Sequence, residues 1–276
     1  MNDEFIKIIR ESIKPYQELA NQIAETMRPT ILAIEQIRKQ YEPVMAQISN
    51  TVNAWVKQNE HVFETIKKYA VLAKRWQEQE KQNVAKMAES GWFPNWYTFY
   101  FEPGNEITDI DELMTLHLND CWAEVTAEII KLCPNREHVL RAAIKLHEEK
   151  NYIASVPLFI SQADGIFCEE IKTFLFAGDK PKEVLENMLE TGELQRGFFE
   201  DILLEPYMLK TQFSEGVRKS SSNDKKKAPN RNGILHGHRK HLDYDNELNS
   251  LKSFSLLAFV VFSVKDIFKK NITISK

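Results

Sequence analysis

The sequence predicts an all-α protein: a long or kinked N-terminal helical arm followed by a C-terminal helical bundle. Three observations lead there. Only 9 glycines occur in 276 residues, too few for the many tight turns of an all-β chain. Residues 1–90 contain no glycine and are dense in Glu, Gln, Lys, Ile and Ala, which favour helix. Beyond Asp109, apolar residues recur in long blocks parted by single Pro or Asn breaks, as in successive helices.

Residues 1–90 form the arm. Pro15, Pro29 and Pro43 recur every fourteen residues, each followed by a stretch reaching an isoleucine, Ile23, Ile37 and Ile48. Two heptads fit that spacing, so the segment is a kinked amphipathic helix or a series of short helices begun by proline. It serves as an oligomerising arm or as a docking arm for a protein trigger or antitoxin. Residues 91–108 are an aromatic junction, with Trp92, Phe93, Trp96 and Tyr97 between prolines and glycines. Such a cluster plugs the joint between helical units or stacks on bases. Residues 109–276 form the main domain, with helices over 113–132, 136–149 and 153–176 and shorter ones in 182–213. Residues 214–230 read as a mobile basic loop, having almost no apolar content to offset ordering.

Composition removes several function classes. A net charge of −4 excludes a surface that binds nucleic acid everywhere and confines any RNA site to a local basic patch. Cys121, Cys133 and Cys168 lack CxxC spacing and read as reduced thiols. His61, His117, His138, His147 and His241 show no HExxH-type spacing, so no metal or other cofactor is expected. No phosphate-binding glycine loop and no GxSxG elbow is present, against P-loop ATPases and serine hydrolases. The start of the chain has no basic then apolar leader, and the apolar run 254–262 is shorter than the ~20 residues that span a bilayer. It reads as a buried core helix, in a cytoplasmic protein without a membrane partner.

The most informative stretch is Arg231-Asn232-Gly233-Ile234-Leu235-His236-Gly237-His238. A histidine titrates near neutrality and suits proton transfer at a ribose 2′-hydroxyl or a leaving oxygen. A guanidinium suits a phosphate that gains negative charge. On an ideal helix Asn232 and His236 share a face, so the amide is placed to orient the imidazole. Gly233 and Gly237 share the neighbouring face, as in a close-packed dimer seam. Arg231 and His236 lie roughly 140° apart around the axis, so they converge at a frayed first turn or from two subunits. His238 is nearly on the Arg231 face and is possible support. Lys225, Lys226 and Lys227 before the motif, and Arg239 and Lys240 after it, are candidates for the RNA backbone. Asp164, with Glu169 and Glu170 beyond it, is the acidic candidate for orienting Arg231.

The segment RNGILHG resembles the R-x(4–6)-H signature of the HEPN superfamily, in which a polar residue often follows the arginine, as Asn232 does here. Tyr244 with Leu251, Leu256 and Leu257 is similar to the helix pair that ends many bacterial members. The segment from Pro157 to Ile166 resembles the family's long first helix, and the likeness covers residues 135–270. It implies an HEPN-like helical bundle over 109–276 that pairs as a homodimer with the two motifs face to face. It also implies metal-independent endoribonuclease activity with Arg231, Asn232 and His236 as catalytic residues, in a toxin or anti-phage effector. Some relatives are non-catalytic adaptors for dimerisation or nucleotide binding.

Overall fold

The computed structural model describes residues 25–26, 51–102, 107–222 and 226–268. Among them every regular element is helical, as the sequence predicts. The chain divides into two compact units, Met1–Glu78 and Gln79–Lys276. Pro15, Pro29 and Pro43 lie outside the described residues. In the first unit residues 51–58 are helical, and Asn59 interrupts them with its amide on the Trp55 carbonyl at 2.8 Å. Helix α1, Glu60–Glu89, then crosses into the second unit.

The aromatic stretch after α1 is buried rather than exposed. Trp92, Phe93 and Asn95 have almost no accessible surface. Asn95 caps the 3-10 turn Trp96–Tyr100, accepting from the Tyr97 and Thr98 amides while the Thr98 hydroxyl accepts from its own. This reciprocal cap satisfies donors that would otherwise be stranded inside. The Phe93 ring sits 5.9 Å from Phe213 and 5.5 Å from Phe259, so the segment plugs the core of the second unit.

Helices α2 (Ile110–Asp120), α3 (Trp122–Leu132) and α4 (Glu137–Glu148) lead to α5 (Tyr152–Ile171). After α6 (Lys180–Glu190) and α7 (Phe198–Met208) come the short α8 (Val217–Ser220) and α9 (Arg231–Leu235). The last helix, α10 (Glu247–Val260), runs on through the wide π turns Val261–Ile267. Every residue from Ser250 to Val260 is buried, as expected of a helix that is apolar on nearly all sides. Its main packing partner is α5, whose Val156, Phe159, Ile160, Ala163, Ile166 and Phe167 have no exposed surface. Each large side chain buried along this pair contributes about 1.5–3 kcal/mol. A side chain rooted on α5 therefore stands on the most strongly held element of the unit.

Pro157 lies inside α5 and cannot donate to the Ile153 carbonyl four residues back. The Tyr244 hydroxyl donates to that carbonyl instead, at 3.2 Å. In the π segment the Ser263 hydroxyl donates to the Phe259 carbonyl at 2.7 Å and meets the buried Tyr207 hydroxyl at 2.5 Å.

In the basic stretch 214–230, expected to be a loop, the described residues are 214–222 and 226–230. The Gln212 side-chain oxygen accepts from the Ala228 amide at 2.8 Å, and the Asn230 amide donates to the Gln212 and Glu215 carbonyls at 2.9 and 2.8 Å. Ser220, Ala228, Pro229 and Asn230 are buried. Polar side chains, rather than apolar ones, meet its backbone here. Among the described residues no helix is long and apolar enough to cross a membrane, and no group of three His, Cys, Asp or Glu is placed to hold a metal.

Candidate functional site

Helix α9 begins at Asn230, whose side chain accepts from the Gly233 amide at 2.7 Å while its own amide grips the preceding chain. The Arg231 amide donates to the Phe213 carbonyl at 3.1 Å. The first turn is thus pinned on two sides, which fixes where the Arg231 side chain starts. Its guanidinium donates to the Asn232 side-chain oxygen at 2.9 Å and to Asp164 at 3.3 Å, and lies 5.6 Å above the centre of the Phe176 ring.

Asp164, on α5, is only 6% exposed. Burial pushes its carboxyl above the ordinary range, and the Arg231 guanidinium opposes that most strongly. The backbone amides of Phe176 and Leu175 oppose it too. Asp164 Oδ1, Arg231 Nε, Gln212 Nε2 and Glu215 Oε2 are buried polar atoms with no hydrogen-bond partner among the described residues. Two of these atoms, Asp164 Oδ1 and Arg231 Nε, belong to the Arg231–Asp164 pair itself.

The structure therefore brings together Arg231, Asn232 and Asp164. Glu169 and Glu170 are not part of that cluster: Glu169 pairs with Arg136 at 2.6 Å, and both acids pair with Lys265. Asn232 does not orient His236. Its oxygen is taken by Arg231 and its amide reaches the Glu215 carbonyl at 3.4 Å. His236 is the exposed residue that ends α9, and no side-chain hydrogen bond holds its ring among the described residues.

The two motif glycines also play different parts from those expected. Helix α9 has only five residues, so Gly237 lies beyond its end. It adopts a left-handed φ of 60°, with its amide on the Ile234 carbonyl at 3.0 Å and the His238 amide on the Gly233 carbonyl at 2.8 Å. That pair of bonds is the Schellman ending of a helix. Gly233 faces the buried His241 ring of the same chain, and a Cβ there would lie 2.3 Å from the ring's Cγ. Neither glycine supports a seam built on one helical face.

His238 caps the 3-10 turn Arg239–His241, accepting from the Lys240 amide at 3.3 Å, and packs 5.7 Å from the His241 ring. His241 bonds the Ser221 hydroxyl at 3.1 Å, and burial holds its pKa below the ordinary value. Lys226 pairs with Asp243 at 2.7 Å, and Lys240 donates to the Ser221 carbonyl at 3.2 Å. Arg239 is exposed, with no ion pair among the described residues. The Lys227 carbonyl accepts from Lys252 at 2.5 Å. Lys225 lies outside the described residues.

Sequence reasoning missed Asn230, although an Asn just before a short helix is a readable N-cap signal. It also missed Phe176, Gln212 and Glu215, which carry no local signal. A second unforeseen cluster is Lys252, 2% exposed on α10, paired with Asp111 at 2.8 Å and lying 5.4 Å from the centre of the Trp92 ring. The Trp92 indole donates to the same Asp111 at 2.7 Å. Comparison of the chain with protein-family models, with curated proteins and with solved structures gives no match.

Proposed function

We propose that the chain is a metal-independent endoribonuclease of HEPN type, acting in the cytoplasm as a stress or anti-phage effector. The observation that carries this reading is the Arg231 guanidinium, aimed by Asp164 and Asn232, with the exposed His236 at the far end of the same short helix. His236 removes the 2′-hydroxyl proton or protonates the departing 5′-oxygen, while Arg231 stabilises the charge on phosphorus. Because one helix splays the two side chains, the working pair is Arg231 of one copy and His236 of another, in a homodimer. Arg239 and Lys240 then meet the RNA backbone, and the N-terminal arm receives the trigger or antitoxin.

Incubation of the purified protein with RNA in the presence of a chelator tests this. Products should end in a 2′,3′-cyclic phosphate or the 3′-phosphate formed from it, and 2′-deoxyribose at the scissile position should block the cut. His236→Ala should lower the rate about 10²–10⁴-fold. A requirement for magnesium, or an active His236→Ala protein, would remove the assignment. One observation favours a second reading, a non-catalytic dimerisation or nucleotide-binding adaptor: Asn232 serves Arg231, leaving the His236 imidazole without an orienting partner among the described residues. Under that reading the chelated reaction yields no products.

A further inference from the structure

Positive charge is gathered in one stretch of the second unit. The protein carries −4 overall, yet every charged residue described between Gly216 and Asp243 is a lysine or arginine. Some of these are answered locally: Lys219 by Glu215 at 2.9 Å, Lys226 by Asp243 at 2.7 Å and Arg231 by Asp164 at 3.3 Å. Arg218, Arg239 and Lys240 are exposed and have no carboxylate partner among the described residues.

The fold brings these three to one place. The Lys240 ammonium donates to the Ser221 carbonyl at 3.2 Å, and the Ser221 hydroxyl meets the His241 ring at 3.1 Å. The end of α8 is thereby fastened to the 3-10 turn Arg239–His241, and His241 in turn packs against Gly233 of α9. Arg218 stands three residues before Ser221, about 5 Å along a helix axis. Like charges gathered on so short a span repel one another in the free protein, and a run of phosphates relieves that. A membrane surface is a poorer match, since α8 has only four residues and lacks the apolar face that lies in a bilayer interface.

We infer that Arg218, Arg239 and Lys240 form a track for the phosphodiester backbone of a single RNA strand. Arg218 lies outside the motif and its flanks and is the unforeseen member. The track reads charge and not base, and through His241 it adjoins the helix that carries Arg231. This deepens the ribonuclease reading, on which the choice of RNA over DNA rests.

Fluorescence anisotropy of the full chain with a labelled 2′-O-methyl oligoribonucleotide, which has no free 2′-hydroxyl to react, tests it. Three neutralised phosphates should give a slope of log K against log salt of about −2, at ~0.7 per phosphate of a single strand. Arg218→Gln should weaken binding about fivefold at about 0.1 M salt and make the slope shallower by ~0.7. Lys74→Gln, at an exposed position on α1, should change neither. An affinity that does not depend on salt, or an Arg218→Gln protein that binds as the parent does, overturns the track. Capture of the chain by phosphatidylserine vesicles without binding of the oligonucleotide overturns it in favour of a lipid surface. A protein that binds in the expected pattern but cuts no RNA sustains the track and overturns the ribonuclease. A protein that cuts RNA equally well with and without Arg218→Gln, and binds equally well, overturns the track alone.

Discussion

Gly233→Ala separates a packing role inside one chain from a role at a subunit seam. The added methyl would lie 2.3 Å from His241 Cγ, 2.4 Å from Cδ2 and 2.8 Å from Cβ. His241 is 3% exposed and tied to Ser221, so the ring has little room to retreat. Overpacking of this kind costs typically 1–3 kcal/mol, and overlap with three ring-side atoms places it near the upper end, about 3 kcal/mol. The better helix propensity of alanine offsets at most about 1 kcal/mol. The net loss of about 2 kcal/mol should lower the melting temperature by roughly 4–8 °C for a domain of this size. Thermal unfolding followed by circular dichroism at two protein concentrations reads it. The loss should be independent of concentration, and Gly233→Ala combined with His241→Ala should recover part of it. An unchanged melting temperature, or a loss that appears only on dilution, would refute the intramolecular account.

Asp164→Ala should cost about 2 kcal/mol in urea unfolding, less than the 3–5 kcal/mol for breaking a fully buried pair because Arg231 keeps 27% of its side chain in water. Asp164→Asn should cost less, since it retains shape and one acceptor. Lys252→Met should speed tryptic cleavage after Lys226 and Lys227 several-fold by releasing the Lys227 carbonyl; an unchanged cleavage rate would mean that the other ties suffice. Burial moves His117 from its ordinary 6.5 to about 4, against a smaller opposing pull from Asp120. The unfolded chain therefore takes up this proton first as pH falls, and the folded state loses about 3 kcal/mol between pH 6.5 and 4. Above pH 7 the residue contributes no slope. His117→Gln should flatten the acid limb of stability against pH, and an unaltered limb would assign it to other groups.

The central helix was readable because a run apolar on every side, 254–262, has few places to go but the interior. Asp164 was singled out from its place on the long first helix of the likeness, and it does reach Arg231 across 67 residues. The partners of Asn232 were not readable. Helix geometry pointed to His236, but an oxygen beside a guanidinium forms the stronger charge-assisted bond. The glycine pair failed for a related reason. A 3.6-residue wheel assumes a helix of indefinite length, whereas α9 stops after Leu235 and Gly237 is the residue that stops it. The loop over 226–230 looked unsupported because its supports, Gln212 and Lys252, lie 15 and 25 residues away from Lys227.

Lys252 bears on how α10 chooses its orientation. A rod coated with Leu, Phe, Val and Ala can rotate or slide in its socket at little cost, because one greasy face replaces another. A single ammonium that must meet the Asp111 carboxylate, the Lys227 carbonyl and the Trp92 ring at once has one resting place. Any slipped arrangement buries that charge without company, at several kcal/mol. The lysine thus acts as an indexing pin for the helix, and through Lys227 it transmits that setting to the strand of chain that enters Arg231.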